Sequence, residues 1–386
     1  MLNRVPIASV LCLGLFFSAS CAQDYEFLPN NPNIHPGDVT DCDFTRVGDS
    51  AFFAYDCNPV FSTTGEDWAG SIKSTAFLVT EVMGHPFYQM WYAGIPDNNN
   101  DDHFGMGYAI SPDGTEWNSH SLNPLLDPPG SSAWDNSMMD AMQVVWDPST
   151  DQYVMIYQGY NLDNSPSTWG LGVSTSSDGL EWTRLPYNPV VDFANENFDE
   201  PSWCWPLGLT LGQVAGYTGY VAGSKDFSQK CEVFPINASD VTNWNPSSNA
   251  IYAAGPNGSF DDEGFVSLAI AELNGVHYMF YAGFSDWQDF TTYRTTQNHS
   301  LGWATSLDGK NWTRGLIPEA RTVAGQNSSA GPIQLREQNT GSISAVAAHR
   351  VDDRIHLWIT DDWDGVQAVG YYLFDPERAA EMDETE

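Results

Sequence analysis

Carboxylates that stand ahead of aromatic strands are the side chains of this sequence best suited to chemistry. Asp140, Glu200 and Glu263 each precede one copy of a recurring aromatic strand. Carboxylates that share a pocket can divide acid and base roles, because neighbouring charge and burial keep one ionised and another protonated. Each residue also has a structural interpretation: Asp140 as a strand-opening cap, Glu200 as the neighbour of a repeated aspartate, and Glu263 as part of a solvated acidic turn.

The first copy of the repeat lacks a carboxylate at the corresponding position. Lys73 opens that strand, and the nearest aspartate is Asp67. Asp67 is itself the counterpart of aspartates that recur too regularly to be anything but structural turn residues: Asp135, Asp199 and Asp261. Asp43 is an alternative if the N-terminal strand reaches the same pocket. The base of a carboxylate site therefore stays open among Asp67, Asp43 and Glu263.

Aromatic and imidazole side chains, together with Lys73, are the candidates for substrate binding. Trp203 and Trp205 alternate with a cysteine, so both project to one face of a strand, where sugar stacking and internal packing are equal alternatives. His349 is either a satisfied interior histidine or a ligand-binding residue. The loop Asp97–Asp102 offers oxygen ligands for calcium, but it lacks the regular alternation of a calcium loop, which favours an exposed turn.

An aromatic strand ending in a small residue recurs along the chain. The copies YQMWYAG, YVMIYQG, YTGYVAG and HYMFYAG close on glycines spaced 65, 64 and 60 residues apart, at Gly94, Gly159, Gly223 and Gly283. A weaker fifth copy is IHLWITD, at Ile355–Asp361. Fixed self-similarity of this kind is typical of repeat architectures.

Two further motifs follow each aromatic strand with the same period. A turn that usually contains Asp-Gly leads into a strand that begins with a tryptophan, at Trp117, Trp182, Trp244 and Trp312. An Asn-Pro pair comes next, at Asn58-Pro59, Asn123-Pro124 and Asn188-Pro189, with Asn245-Pro246 as a degraded copy. Each unit therefore contains about four short strands.

The repeat predicts an all-β, five-bladed β-propeller that forms one domain over residues 38–378. Its predicted blades comprise residues 66–128, 129–193, 194–252, 253–320 and 333–375. The last blade lacks its own outer strand, and residues 46–61 carry the missing turn, strand and Asn-Pro. We therefore expect the N-terminal strand to join the last blade as its outermost strand and close the ring, which removes free sheet edges.

Residues 1–22 are typical of a secretory signal peptide, with Arg4 ahead of a short apolar run and small residues after it. Cleavage before Cys21 followed by lipidation is the alternative to ordinary cleavage near Ala22. Either case leaves four cysteines, for which we expect the local disulfides Cys42–Cys57 and Cys204–Cys231 in an oxidising compartment. The prediction is a monomer that is secreted, periplasmic or held at the cell surface by an N-terminal lipid.

The charge of the chain restricts its partners. Asp and Glu number 50 against 14 Lys and Arg, a formal net charge of −36. Such a surface repels phosphate backbones and anionic membranes, so nucleic acid is excluded and membrane contact is limited to a lipid anchor. Aromatic residues make up 13% of the chain, with 15 tryptophans, and exposed aromatic faces are the usual platform for sugar rings. These features favour a carbohydrate ligand.

The blade pattern, YxMWYAG followed by GxGYAxSxDGxxW, resembles the five-bladed propeller superfamily of glycoside hydrolases, which includes arabinanases of family 43, invertases, levansucrases and mannoside phosphorylases. The resemblance covers essentially the whole mature chain. It implies an exported glycoside hydrolase that cleaves an extracellular oligo- or polysaccharide by paired-carboxylate chemistry. A non-catalytic carbohydrate-binding propeller is the alternative, which the missing acid of blade one favours.

The resemblance also implies roles for individual residues. In the hydrolases, an aspartate on blade one is base or nucleophile, an aspartate on blade two orients and tunes, and a glutamate on blade three is the general acid. Asp140 matches the second of these and Glu200 the third, whereas Lys73 stands where the first is expected. No cofactor is implied beyond a structural calcium, which a fifth-blade histidine such as His349 holds in some members.

Overall fold

The computed structural model describes residues 27–29, 42–63, 68–82, 85–96, 104–127, 133–161, 168–192, 205–211, 216–223, 230–285, 299–315, 335, 343–363 and 365–383. These residues form five antiparallel sheets arranged as the five blades of a β-propeller, which confirms the predicted fold class. The innermost strands, beside the central channel, are those that begin at Ser71, Met138, Trp205, Gly264 and Ala345, and in each blade the next two strands of the chain follow outward.

The first three blades are consecutive in the sequence. Blade one contains β4 (Ser71–Val82), β5 (His85–Ile95), β6 (Gly105–Ser111), β7 (Asn118–His120) and, at its outer edge, β1 (Phe27–Pro29). Blade two contains β8 (Met138–Asp147), β9 (Gln152–Asn161), β10 (Thr168–Ser176), β11 (Thr183–Arg184) and β12 (Val191–Asp192), the last two both paired with β10. Blade three contains β13 (Trp205–Leu211), β14 (Tyr217–Gly223), β15 (Glu232–Ala238) and β16 (Trp244–Pro246).

The last two blades complete the ring. Blade four contains β17 (Gly264–Leu273), β18 (Val276–Phe284), β19 (Ser300–Ser306) and β20 (Thr313–Arg314). Blade five contains β21 (Ala345–Val351), β22 (Arg354–Trp363), β23 (Val366–Phe374), and two strands from the N-terminal part of the chain, β3 (Phe52–Tyr55) and β2 (Phe44–Arg46). One described helix, α1 (Pro376–Asp383), follows β23.

The N-terminal segment closes the ring, as the sequence predicts. β3 pairs antiparallel with β23, so that Phe52 lies opposite Phe374. The segment differs from the prediction in contributing two strands, because β2 folds back on β3 and becomes the outermost strand. The Cys42–Cys57 disulfide, with a Cα–Cα distance of 5.7 Å, joins the two ends of this hairpin and confirms the first predicted pairing.

The second predicted disulfide and the signal sequence lie outside these results. Cys204 and residues 1–22 are not among the described residues, so both remain predictions. In the part of the chain that is described, no helix has the length and apolar character needed to cross a membrane.

In three blades the repeated Asn-Pro motif ties the chain to the third strand of the blade. In blade five, the side-chain amide of Asn58 donates to the carbonyl of Tyr371 (2.9 Å), and its Oδ1 accepts the N–H of Tyr371 (2.7 Å). The side chain thus forms the two hydrogen bonds that a fourth strand would form. The same pair of bonds occurs in blades one and two, between Asn123 and Tyr108 and between Asn188 and Val173.

The repeated tryptophans and turns join neighbouring blades. The Trp117 indole N–H donates to the carbonyl of Gly114 (3.0 Å), within the Asp-Gly turn of blade one. Trp358 of blade five donates to the same carbonyl (3.0 Å), so one turn anchors tryptophans from two blades. Blade two repeats this arrangement with Gly179, Trp182 and Trp91.

Two of the repeated aspartates, Asp135 and Asp261, accept hydrogen bonds in buried side-chain networks. Asp135, which is 1% exposed, accepts hydrogen bonds from the Tyr157 hydroxyl (2.9 Å) and from Arg184 Nε (3.2 Å). Blade four has the same network, built from Asp261, Tyr281 and Arg314. A buried carboxylate is stable only when it is paired and hydrogen-bonded, and these are. Their position supports the structural interpretation of the repeated aspartates.

The apolar core of the described residues lies between blades. Trp91 and Trp146 belong to the cluster between blades one and two, and both are almost fully buried. Phe280 and Phe374 occupy the cluster between blades four and five, and Trp358 the cluster between blades five and one. Burial of apolar surface is the main favourable contribution to folding, so the ring is stable as a unit.

Candidate functional site

The innermost strands of blades one to four each carry an irregularity near their first residues, at one mouth of the channel. The strand register shifts at Ile72/Ser74, Asp140/Gln143, Pro206/Gly208 and Phe265/Ser267. A β-bulge redirects a side chain, and bulges are frequent beside active sites. The recurrence of this feature at one end of the channel marks that end as the candidate site.

Asp140 lies at the bulge of blade two with its carboxylate held against the backbone. Its side chain is 4% exposed, and Oδ1 accepts the N–H of Ala141 at 2.6 Å. Ala141 has a φ of +47°, a left-handed conformation that costs energy for a residue with a Cβ atom. The strained bulge therefore fixes the orientation of a buried carboxylate at the channel mouth.

Near its bulge, the inner strand of blade one makes side-chain contacts with the neighbouring blades two and five. The Ser74 hydroxyl accepts the N–H of Ala141 from blade two (3.0 Å), and the hydroxyls of Thr75 and Thr360 lie 3.3 Å apart between blades one and five. These three side chains are buried. Lys73, which lies in the bulge just before them, therefore starts from a fixed backbone.

Lys73 is half-buried and its charge reaches a histidine of blade four. Burial lowers the pKa of His299 to about 4, and the positive charge of Lys73 contributes in the same direction. The His299 ring nitrogen Nδ1 is 3.0 Å from the carbonyl of Ile343, at the entrance to blade five. Lys73 and His299 thus belong to blades that are not adjacent in the ring.

Lys73 forms no ion pair within the described part of the chain. The two ion pairs found there, Arg184–Asp135 and Arg314–Asp261, belong to the structural networks of blades two and four. Lys73 and Asp140 occupy equivalent positions in blades one and two. The residue before Lys73, Ile72, pairs with Gly94, and the residue before Asp140, Met139, pairs with Gly159, and these two glycines are equivalent in the repeat.

Glu263 lies just ahead of the inner strand of blade four. Its N–H donates to the carbonyl of Phe284 (3.1 Å), and its own carbonyl accepts the N–H of Cys231 (2.8 Å). The side chain is half-buried and makes no hydrogen bond within the described residues. Glu263 therefore stands at the rim, outside the bulge level at which Asp140 and Lys73 lie.

Several sequence candidates lie elsewhere or outside the described residues. Asp67, Glu200 and Trp203 are not described, and of Trp205 only the backbone is, where it begins β13 and pairs with Ala222. Asp43 lies next to the outermost strand of blade five and caps the N–H of Phe44 (2.8 Å). The N-terminal strands therefore do not bring Asp43 to the channel.

His349 belongs to the wall of the channel and not to its mouth. It follows Ala345, the first residue of β21, by four residues, about 13 Å along a strand. Its Nε2 is 3.0 Å from the carbonyl of Phe77 in blade one, and burial lowers its pKa to about 4. It borders a cavity of about 650 Å³, also lined by Tyr220, Ile270, Glu272 and Arg350.

The described residues contain no cluster of side chains that could hold a metal ion. No group of three or more His, Cys, Asp or Glu side chains there has the geometry of a metal site. The acidic loop Asp97–Asp102 lies outside the described residues, so the structural calcium that His349 or this loop could hold remains a prediction.

Two polar residues at the mouth were not recognised from the sequence. Gln158 is 1% exposed and lies opposite Asp140 in the strand ladder. The sequence repeat does mark Gln158 as unusual, because three other copies of the aromatic strand have alanine at this position: Ala93, Ala222 and Ala282. His299 has no counterpart in the repeated motifs, and its proximity to Lys73 depends on the closed ring.

Comparison with known proteins identifies relatives of the fold. No protein-family model and no curated protein matches the chain. A glycosyl hydrolase from Bacteroides ovatus is 17% identical with a TM-score of 0.54, covering 80% of this chain and 85% of its own. A second similar structure comes from the GH130 family of mannoside phosphorylases, which is described as containing glycoside hydrolases that target β-1,2 mannosidic linkages in Candida mannan. It is 16% identical to this chain with a TM-score of 0.56, and the match covers 89% of this chain and 97% of the other. The predicted resemblance to propeller glycoside hydrolases is confirmed as a likeness of fold.

Proposed function

We propose that this chain is an exported, carbohydrate-active propeller, and that it is a glycoside hydrolase acting on an extracellular oligo- or polysaccharide. The observation that carries the proposal is the carboxylate of Asp140, buried and oriented by a strained bulge at the channel mouth. Solved propellers of the same architecture are glycoside hydrolases. Export is supported by the signal-like N-terminus and by the Cys42–Cys57 disulfide, because disulfides persist in oxidising compartments.

In the proposed reaction, Asp140 orients the substrate and the acid, and Glu200 donates a proton to the leaving oxygen. The base is Asp67 or Glu263. Their separation from the acid would determine whether the anomeric configuration is inverted or retained, since an inverting enzyme needs room for a water molecule. Gln158, opposite Asp140, is placed to contribute an amide to the same pocket.

The test is turnover of a glycan panel by the purified protein and by Asp140→Asn. We expect the substitution to lower kcat about a hundredfold, because a small misplacement of the reacting groups can cost a factor of this size. Asp352→Asn is a matched control. Asp352 is an exposed hairpin residue with a φ of +55°, a conformation that asparagine also tolerates. If Asp140→Asn and Asp352→Asn both retain full turnover, Asp140 has no part in the reaction. Glu200→Gln tests the acid in the same assay.

The second candidate function is non-catalytic carbohydrate binding. It is favoured by Lys73, which occupies the blade-one position where the resembling hydrolases carry an acid. Calorimetric binding of a glycan that is recovered intact after long incubation would support this alternative. Release of new reducing ends would support hydrolysis.

A further inference from the structure

We propose that Lys73 binds a negatively charged substituent of the sugar, so that the glycan recognised at the channel mouth carries an anionic group such as the carboxylate of a uronic acid or a sulfate ester. This inference rests on the proposed function, because it assumes that the channel mouth binds carbohydrate. It adds the chemical class of the ligand.

The geometry places a positive charge where a ligand must pass. Lys73 emerges from the bulge at the level of Asp140, and its backbone is fixed by the contacts that Ser74 and Thr75 make with blades two and five. Its charge is felt by His299 of blade four, across the entrance of blade five. Lys73 therefore lies on the innermost strand at the channel opening and not on the outer strands of a blade.

The surroundings leave this charge without a protein counterion in the described residues. Arg184 and Arg314 pair with buried aspartates, whereas Lys73 pairs with none. His299 has a pKa of about 4 and is therefore neutral at pH 7. Partial burial of an ammonium group without a partner is unfavourable, and an anionic ligand would relieve that cost. In a chain with 50 acidic and 14 basic residues, such a cation is a specific feature.

The net charge of −36 is compatible with a single anionic group on the ligand. The Debye length is about 8 Å at physiological ionic strength, so most of the acidic surface is screened at the channel mouth. An ammonium group in direct contact is screened much less. A charge-assisted contact of this kind is short-range and selective, which distinguishes a sugar carboxylate or sulfate from the hydroxymethyl group of a neutral sugar.

The experiment compares glycans that differ only in charge. Uronic-acid oligosaccharides and their carboxyl-reduced counterparts share linkage and length, and sulfated and desulfated oligosaccharides form a second pair. Binding of each pair is measured by calorimetry with the wild-type protein, Lys73→Met and Lys73→Arg. The control is Lys310→Met, which removes the same charge from an exposed turn of blade four. Thermal unfolding verifies that each variant is folded.

We expect the wild-type protein to prefer one charged glycan over its neutral counterpart by about ten- to a hundredfold, the usual range for a hydrogen bond to a charged group. Lys73→Met should abolish this preference by lowering the affinity for the charged glycan to about that for its neutral counterpart. Lys73→Arg should retain most of it, and Lys310→Met should retain all of it. The pair that shows the preference identifies carboxylate or sulfate as the group.

Other outcomes overturn the inference in distinguishable ways. Equal affinity for charged and neutral glycans that Lys73→Met leaves unchanged would refute the anion site while the proposed function stands. Absence of binding and turnover with every glycan would refute the proposed function itself. Inorganic phosphate is the remaining probe. If no charged glycan is preferred and phosphate competes with a neutral glycan only when Lys73 is present, the cation serves a free phosphate, and the sugar-borne anion is rejected.

Discussion

Replacement of Asn58 tests the role that the structure gives to the Asn-Pro motif. Asn58→Ala removes both hydrogen bonds to the main chain of Tyr371, a residue that is 3% exposed. A buried main-chain group left without a partner costs about 1–3 kcal/mol. With an N–H and a C=O both affected, we expect a loss of about 2–5 kcal/mol. This is a large share of the roughly 5–15 kcal/mol by which folded proteins are stable.

Asn245 provides the control, because it lies within β16 and not at the position of the motif, which Asn249 occupies in blade three. Asn245 is exposed, and among the described residues its side-chain amide donates only to the carbonyl of Asn243, at 3.4 Å. Asn245→Ala should therefore change stability by no more than about 0.5 kcal/mol. Asn58→Asp keeps an acceptor for the Tyr371 N–H and loses the donor, so its loss should be intermediate.

The measurement is urea unfolding followed by tryptophan fluorescence, for which the chain has 15 tryptophans. The midpoint and slope give the change in unfolding free energy for each variant. If Asn58→Ala and Asn245→Ala are equally mild, the side-chain amide does not replace a strand, and the recurrence of Asn-Pro has another cause.

Two further predictions concern buried charge. Arg314→Met should lower the free energy of unfolding by about 3–5 kcal/mol in the same assay, because it leaves the carboxylate of Asp261 buried without its cation. The control Arg350→Met, at an exposed residue, should have little effect. Equal effects of the two substitutions would contradict the network. The pKa of His349 is about 4 in the folded protein and about 6.5 in the unfolded chain. Between these pH values the histidine is protonated in the unfolded chain but not in the folded protein. The stability of the fold should therefore fall as the pH drops from about 6.5 towards 4. His349→Gln should reduce this slope without removing it, because burial also lowers the pKa of His299 and of His356 to about 4, and an unchanged pH dependence would refute the assignment.

The fold could be predicted from the sequence because its signals are local and repeated. The tryptophans that follow the turns, the Asn-Pro pairs and the aromatic strands each occur several times, so one weak copy such as Ile355–Asp361 is supported by the others. Ring closure was predictable for the same reason, since residues 46–61 contain what the last blade lacks. The strand β1 was not predicted, because three residues are too few to show alternation.

The candidate site was less accessible to sequence reasoning. Asp140 could be singled out by its position, but the bulge that orients it depends on the register between two strands, which a single sequence does not encode locally. Lys73 could be identified from its position both as a departure from the expected acid and as a candidate for substrate binding. Its relation to His299 arises from the closed ring, in which residues distant in the sequence meet at one mouth.

The closing hairpin also determines the order of events during synthesis. β3 presents two adjacent phenylalanines, Phe52 and Phe53, and its partner β23 is among the last segments to be made; Asn58 and Tyr371 are 313 residues apart. At 5–20 residues per second, the β3 edge waits roughly 15–60 s for its partner. An apolar, unpaired strand edge is prone to aggregate during that time. Efficient production therefore depends on shielding this segment until blade five emerges, and the Cys42–Cys57 bond, which is local to the hairpin, can form before the ring exists.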